Sequence, residues 1–386
     1  MNDIAVREDL FKRVDAIAEV LAADVEAGDA LGRLPDTTID ALRRAGLMAL
    51  KLPAALGGFE AEPPLQYEVF ERVAHHSAPA AWCLFIYADT LGMIGARLSD
   101  EGLARVFVGD DTPISCGGGG LRPGVLAPAP HGVRLTGKFR YGSGIHGADW
   151  VMVSGALPGE NGGRGKLLNC VLARHSVTVH DTWHVHGLNA TGSDDFSVED
   201  LFVPDEMTFA VGGPPLRGGR QYRTGIVGYL GYTVPAVCGA LARRALDELI
   251  DDAGNRVRGY SNRSSLSQRS AFQSFIGEAD TKLAAARALM LSNGQALMEA
   301  VDSPGSDLRA RDASARAAGA YATRTATDVL QGIVRFAGGD SLRSGQFLER
   351  ALRDATMAST HLLMSEVAYE NHAQFLLCLP GADSMA

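Results

Sequence analysis

The sequence LTGKFRYGSGIHGADW, residues 135–150, decides the fold of this chain. Leu135 and Phe139 alternate with polar residues, and a serine between two glycines follows, so the pattern predicts a strand that ends in a tight turn at Ser143. Similar short runs, rich in Gly, Val, Thr and aromatic residues, fill the middle third of the chain. Because Val, Thr and aromatic residues favour strands and Gly marks the turns between them, residues 113–212 are predicted to form a β domain.

The spacing of apolar residues on both sides of this β domain is that of helices. Before it, apolar residues three and four positions apart predict helices over residues 8–25, 37–45, 65–74 and 80–98. After it, three long stripes and a last helix from Gly345 onward predict a bundle packed through Ala and other small residues. We therefore expect an α+β fold in three parts, an N-terminal α-helical domain (1–112), a middle β-barrel or β-sandwich domain (113–212) and a C-terminal four-helix bundle (213–386).

The charge, the cysteines and the apolar content of the sequence indicate which partners are not expected and where in the cell the protein is located. The net charge of −9 over 386 residues offers no basic surface for a phosphate backbone, so nucleic acid is not an expected partner. Five scattered cysteines favour reduced thiols, which fits a cytoplasmic protein. The charged amino terminus lacks the apolar core of a signal peptide, and no run approaches the roughly 18 apolar residues of a membrane span, so no membrane association is expected.

Several segments resemble the acyl-CoA dehydrogenase superfamily, and the resemblance extends over nearly the whole chain. LRRAGLMALKLPAALGG (42–58) resembles the early helix and loop of that family, and SAPAAW (77–82) resembles the start of its next helix. Residues 135–150 resemble the core of its β domain, and GLNATGSDDFSVEDLFVPDE (187–206) resembles the strand pair that closes this domain. The resemblance implies the acyl-CoA dehydrogenase fold.

The residue expected to carry acid–base chemistry differs from that of a dehydrogenase. Many acyl-CoA dehydrogenases remove an α-proton with a glutamate in an Ile-Tyr-Glu-Gly-Thr stretch that follows an Arg-Asp-Ala segment. Here the segment Arg353-Asp354-Ala355 is present, but that stretch is absent. His361 stands eight residues after Arg353, about two helical turns further on. It takes the place of the family's glutamate.

A histidine at this spacing, with the phrase Tyr141-Gly142-Ser143-Gly144, resembles the two-component flavin-dependent monooxygenases of the same fold. The resemblance implies a reduced flavin, FMN or FAD, that a separate NAD(P)H-dependent flavin reductase supplies by diffusive transfer. It also implies O2 as co-substrate, a flavin C4a-hydroperoxide, a small aromatic or polycyclic substrate that is hydroxylated, and a homotetramer. Ser143 would then hydrogen-bond the flavin near its N5/C4a edge, with a simple turn as the alternative.

His361 and Ser143 are the expected catalytic residues. A neutral imidazole, with an ordinary pKa near 6.5, can take the proton of a phenolic substrate. The alternative is that His361 only packs inside the bundle. Ser115, which precedes Cys116 and four glycines, is expected to line the flavin or substrate pocket, and a flexible loop explains those glycines equally well.

The remaining cofactor and substrate contacts are expected around the same site. Trp150 would shield one flavin face, although packing inside the β domain is the commoner fate of such a residue. Arg263 or Arg269 would meet the flavin phosphate, with a solvated helix start as the alternative. Trp82 and Tyr87 are expected to contact the substrate. Some of these monooxygenases carry a further histidine in this helix, where this chain has Tyr87, Asp89 and Thr90 instead.

Other readings of the chain stay open. His146 lies near Ser143, and His184 and His186 alternate along one strand, but no third ligand at suitable spacing supports a metal site. An acyl-CoA dehydrogenase with a displaced base, Glu366 or Glu370, is the first alternative function. An N-oxygenase of an amino substrate and a catalytically silent scaffold are the others.

Overall fold

The computed structural model describes residues 3–118, 122–159, 164–257 and 264–385. Within them the predicted order of helices, strands and helices is confirmed. Helices precede the strands at α1 (Asp3–Ala23), α2 (Val25–Leu31), α3 (Asp36–Arg44), α4 (Pro63–His76), α5 (Ala78–Arg97) and α6 (Asp100–Val106). The strands are β1 (Ser115–Gly117), β2 (Gly124–Ala129), β3 (Gly132–Gly142), β4 (Trp150–Pro158), β5 (Arg164–Ala173), β6 (Thr178–His180), β7 (Asp194–Pro204) and β8 (Thr208–Ala210). The later helices are α7 (Ile226–Leu230), α8 (Thr233–Asp252), α9 (Ser270–Asp302), α10 (Leu308–Ala337), α11 (Phe347–Ser359) and α12 (Val367–Leu376).

By its internal contacts the chain divides into two compact units. The sheet unit comprises Met1–Glu62, Pro79–Val185 and Asn189–Arg223, and the bundle unit comprises Pro63–Ala78, His186–Leu188 and Thr224–Ala386. Helix α4 therefore groups with the carboxy-terminal helices, although its sequence lies within the predicted first domain. The predicted boundaries after residues 112 and 212 stay predictions.

The strands of the sheet unit join through hydrogen bonds into one sheet in the order β6-β7-β3-β2-β4-β5-β8, with β1 paired to β4. The two longest strands, β3 and β7, form an antiparallel pair, and Phe139 of β3 stacks on Phe196 of β7 with ring centroids 5.3 Å apart. Residues two apart in a strand lie on the same face, so Tyr141 would be expected to be buried like Phe139. Its side chain is exposed instead. The register shifts between Phe139 and Gly142, and Tyr141 has a φ of 60°, so the end of β3 turns its side chain outward.

In the bundle unit, the predicted apolar stripes form the contacts among α8, α9 and α10. Ile276 of α9 and Phe336 of α10, which continue the three- and four-residue spacing of these stripes, are only partly buried. The helix expected from Gly345 onward does not extend as far as His361. Helix α11 ends at Ser359, and His361 takes an extended conformation (φ −60°, ψ 135°) that begins the 3-10 turn Leu362–Met364.

Two helices correct the expectation about apolar runs. Helix α5 (Ala78–Arg97) and the helical stretch Ile226–Asp252, which contains α7 and α8, have the length and hydropathy of a membrane span. Most of each helix is buried inside the protein, as in the core helices of globular proteins.

Candidate functional site

The turn around Ser143 is a constrained feature of the sheet unit. Ser143 follows β3 and is only 4% exposed, and its N–H donates to the Tyr141 carbonyl at 2.9 Å. Gly144 has a φ of 73°, and a Cβ there would lie 2.3 Å from the Tyr87 hydroxyl oxygen, so glycine is required on both counts. Tyr141 is left-handed as well, at a φ of 60°. Backbone strain of this kind persists at functional sites, where the surrounding contacts hold it in place.

The Ser143 hydroxyl belongs to a chain of polar groups. Its Oγ lies 2.7 Å from Ser193 Oγ, which lies 2.6 Å from Thr191 Oγ1. The indole Nε1 of Trp82 is a donor only and donates to Ser143 Oγ at 3.3 Å. If Ser193 also donates, both lone pairs of Ser143 are used and its O–H can donate to a bound ligand. Sequence reasoning missed Thr191 and Ser193, although the segment Ala-Thr-Gly-Ser, residues 190–193, repeats the small-residue and hydroxyl pattern of the Ser143 turn.

Helix α5 supports this turn from behind. Tyr87 is fully buried, and its hydroxyl donates to the Gly144 carbonyl at 2.8 Å. Burial raises the pKa of Tyr87 well above its usual range, so the phenol stays protonated as a donor. The observed contact assigns Tyr87 to holding the turn, and its contact with substrate stays a prediction. One turn further along α5, Thr90 donates to the backbone carbonyl of Ser115.

Ser115 carries a buried hydroxyl that no described residue satisfies. It is fully buried at the start of β1, and its Oγ has no hydrogen-bond partner within the described ranges. An unsatisfied buried hydroxyl costs about 1–3 kcal/mol, so such a group suggests a ligand contact. In the parallel pair β1–β4, Ser115 lies opposite Trp150, which is partly exposed. The Ser143 hydroxyl beside the Trp82 indole, and the unsatisfied Ser115 hydroxyl, are the kinds of groups that bind the hydrogen-bonding edges of a planar cofactor.

A buried ion pair holds α5 against the loop that follows α3. Lys51 Nζ lies 2.6 Å from Asp89 Oδ1, and the two side chains are 1% and 3% exposed. Burial lowers the pKa of Lys51 and raises that of Asp89 to about 6, and the attraction between the two charges opposes both shifts. The Lys51 carbonyl also accepts hydrogen bonds from Gln221 and Tyr222. This pair fixes the helix that carries Trp82 and Tyr87.

His146 has a structural partner. Its Nε2 lies 2.7 Å from Asp194 Oδ2, and the other carboxylate oxygen accepts from the N–H groups of Thr182 and Trp183. Although burial raises the pKa of Asp194, the hydrogen bonds from His146 and from these two N–H groups outweigh it and lower the pKa below its usual value. His146 and Asp194 line a groove of about 520 Å³ with Gly32, Trp183 and His184. Ser143, Trp82 and Ser115 do not line this groove.

His361 is the predicted acid–base residue, and it lies in the bundle unit. Its imidazole is partly exposed, but the protein atoms packed around it lower its pKa to about 4 through desolvation, so the ring is neutral near pH 7. The Leu363 N–H donates to Nδ1 at 3.4 Å. A nitrogen that accepts carries no proton, so the neutral ring holds its proton on Nε2. In this tautomer Nε2 donates, and the proton-accepting role expected from the sequence requires the other tautomer.

The Arg-Asp-Ala segment before His361 has a structural role in the bundle unit. Asp354 Oδ1 accepts from the Leu188 N–H at 2.6 Å, and Arg353 donates to the His186 carbonyl at 2.7 Å. A Cβ at Gly187 would lie 2.0 Å from the Arg353 carbonyl oxygen. The segment therefore binds residues 186–188 closely.

The other predicted residues of the bundle unit have less defined surroundings. Arg269 precedes α9 with a partly exposed side chain, and its phosphate contact stays a prediction. Arg263 lies outside the described residues. The candidates for a displaced dehydrogenase base, Glu366 and Glu370, are exposed, with 88% of the Glu366 side chain accessible. A base that removes an α-proton works best where water is excluded, so this exposure does not favour the dehydrogenase alternative.

Known proteins resemble this chain over most of its length. The family model described as "Acyl-CoA dehydrogenase, C-terminal domain" matches residues 232–366. An indole-3-acetate monooxygenase of Pseudomonas putida is 29% identical, over 86% of this chain and 84% of its own length. HsaA of Rhodococcus jostii, the oxygenase subunit of a flavin-dependent monooxygenase, is 25% identical over 97% of this chain and 100% of its own. XiaF from Streptomyces sp., solved with FADH2 and glycerol, has a TM-score of 0.89 at 23% identity and covers 98% of this chain and 97% of XiaF. These matches confirm the predicted fold.

Proposed function

We propose that this chain is a flavin-dependent monooxygenase of the acyl-CoA dehydrogenase superfamily and that it hydroxylates a small aromatic or polycyclic substrate. It is the oxygenase component of a two-component system and uses reduced FMN or FAD from a separate NAD(P)H-dependent reductase. Diffusive transfer of the flavin, a homotetrameric assembly and a cytoplasmic location are parts of the same proposal.

The arrangement around Ser143 carries this proposal. Ser143 accepts a hydrogen bond from the Trp82 indole, and with Ser193 as the donor in their 2.7 Å contact the Ser143 O–H is directed toward a ligand. We assign that O–H to an acceptor on the edge of the flavin ring. The buried Ser115 hydroxyl supplies a second polar contact, and Trp150 and Arg269 are assigned to the ring face and the flavin phosphate. A bound reduced flavin supplies the electrons that activate O2.

His361 is assigned to acid–base chemistry at the substrate. Its neutral ring has the proton on Nε2, so the first interaction with a substrate oxygen is a donated hydrogen bond. The lowered pKa keeps the ring neutral throughout the physiological range.

The experiment combines the purified protein with a flavin reductase, NADH, O2 and aromatic probes such as simple phenols and indole-3-acetate. We expect an oxygenated product, and a loss of about 10²–10⁴-fold in its rate of formation in the His361→Ala variant. Flavin binding and the melting temperature of that variant should stay close to those of the wild type. Wild-type rates of hydroxylation in His361→Ala would refute the assignment of this residue.

A further inference from the structure

Arg316 is a buried cation whose hydrogen-bond partners, among the residues that the structure describes, are all neutral. It lies in α10 and is 3% exposed. Its Nη1 donates to the Asn371 side-chain oxygen at 2.8 Å and to the Ser384 carbonyl at 3.0 Å, and its Nε and Nη2 donate to two further backbone carbonyls. A guanidinium is always charged, and a buried one normally pairs with a carboxylate. A charged side chain that is buried among neutral oxygens is expected to have a function. The guanidinium can provide one because it donates several hydrogen bonds in a fixed geometry.

Those two carbonyls belong to the turn that follows His361. Nη2 donates to the Leu362 carbonyl at 3.1 Å, and Nε donates to the Leu363 carbonyl at 3.3 Å. The Leu362 carbonyl and the Leu363 N–H are parts of one planar peptide unit and point in opposite directions. The Leu363 N–H is the group that donates to His361 Nδ1. Arg316 and His361 therefore hold the two ends of the same peptide.

From this geometry we propose that Arg316 is a positioning residue for His361. It fixes the peptide between Leu362 and Leu363, and the N–H of that peptide fixes the His361 ring and the tautomer with the proton on Nε2. The inference rests on the proposed function, because it needs His361 to act in the reaction. It adds a second residue to that role, 45 positions earlier in the chain.

The packing of the turn supports the same role. Leu363 and Met364 are buried, and a Cβ at Gly319 would lie only 3.3 Å from Met364 Cε. The absence of a side chain at Gly319, one turn along α10 from Arg316, lets the turn approach the helix closely. Helix α10 therefore contacts the turn in two ways. Met364 packs closely against Gly319, and Arg316 donates hydrogen bonds to two backbone carbonyls of the turn, so the turn has little freedom to rotate.

A double-mutant cycle tests the proposal in the full-length protein. Arg316→Met is made alone and together with His361→Ala, and product formation and NADH consumption are measured with a flavin reductase. In the presence of His361, we expect Arg316→Met to lower the turnover number for product about 10-fold or more. In the His361→Ala background the same change should have less than about a twofold effect. Arg316→Lys, which keeps the charge but loses the fork, should fall between wild type and Arg316→Met.

A stability control separates positioning from general loosening. Ile333→Ala removes a buried side chain from the same helix without touching the turn, so it should lower the melting temperature while the turnover of the folded protein stays close to wild type. Equal losses from Arg316→Met with and without His361, or no loss at all, would overturn the positioning role and leave the proposed function intact. Absence of product from the wild type would overturn the proposed function and the positioning role with it.

Discussion

The buried pair Lys51–Asp89 allows a stability prediction with a definite size. Its atoms are 2.6 Å apart and both side chains are almost fully buried. Lys51→Met removes one charge and leaves the Asp89 carboxylate in a site that water does not reach. Loss of one partner from a buried ion pair costs about 3–5 kcal/mol, a large share of the roughly 5–15 kcal/mol that keeps a typical protein folded.

A matched double variant identifies the cause of that loss. With Lys51→Met and Asp89→Leu together no buried charge remains, and the free energy of unfolding should return to within about 1 kcal/mol of the wild type or exceed it. The measurement is the shift in the urea midpoint, followed by tryptophan fluorescence and circular dichroism. A loss below about 0.5 kcal/mol in Lys51→Met, or a double variant as unstable as the single one, would refute the reasoning.

The same variant should respond to pH in a definite direction. Burial raises the pKa of Asp89, and Lys51 is the group that opposes this rise. Without Lys51 the folded protein binds a proton at Asp89 more readily than the unfolded chain does, so the instability of Lys51→Met relative to wild type should shrink as the pH falls. A difference that stays constant between pH 8 and pH 5 would contradict this explanation.

Three further changes test other contacts of the site. Ser143→Ala removes the proposed donor to the flavin and should weaken binding of reduced flavin about 10-fold in an anaerobic titration, whereas an unchanged Kd contradicts that contact. Tyr87→Phe removes one of the two donors to the Gly144 carbonyl, which keeps the Gly147 N–H, and should lower the free energy of unfolding by about 0.5–1.5 kcal/mol, which an unchanged denaturation midpoint would disprove. Burial lowers the pKa of His361 in the folded protein to about 4, below the ordinary value of 6.5. As the pH falls from 6.5 to 4, the unfolded chain takes up a proton before the folded protein does, so the free energy of unfolding decreases. His361→Asn should remove this contribution of roughly 3 kcal/mol, and parallel pH curves for the two proteins would count against it.

The sequence predicts the features that depend on periodicity and on glycine. The strand before Ser143, the turn beyond it and the stripes of α8 to α10 follow from apolar spacing. The exposure of Tyr141 does not, because it depends on a register shift between β3 and β7 that local alternation does not encode. The end of α11 before His361 cannot be predicted from the sequence for a similar reason. The turn Leu362–Met364 that follows is held by hydrogen bonds from Arg316 in α10, a distant part of the chain.

Long-range polar contacts are the part of the site that sequence reasoning misses. Ser193 meets Ser143 across 50 positions, and Arg316 meets Leu362 across 46. Arg316 does offer one signal, because it is a charged residue in the Ala-rich segment DASARAAGA of a helix that is buried on most sides. A charge in such a helix needs partners, and its partners identify the turn that carries His361.

The central claim is that this chain uses a reduced flavin to place an oxygen atom on an aromatic substrate. The most direct measurement supplies the protein with reduced flavin and ¹⁸O2 together with phenolic and indolic probes, and follows the products by mass spectrometry. We expect one ¹⁸O atom in the product, and we expect its formation to depend on Ser143 and His361. Absence of ¹⁸O, together with anaerobic bleaching of bound oxidised FAD by an acyl-CoA, would contradict it and identify a dehydrogenase.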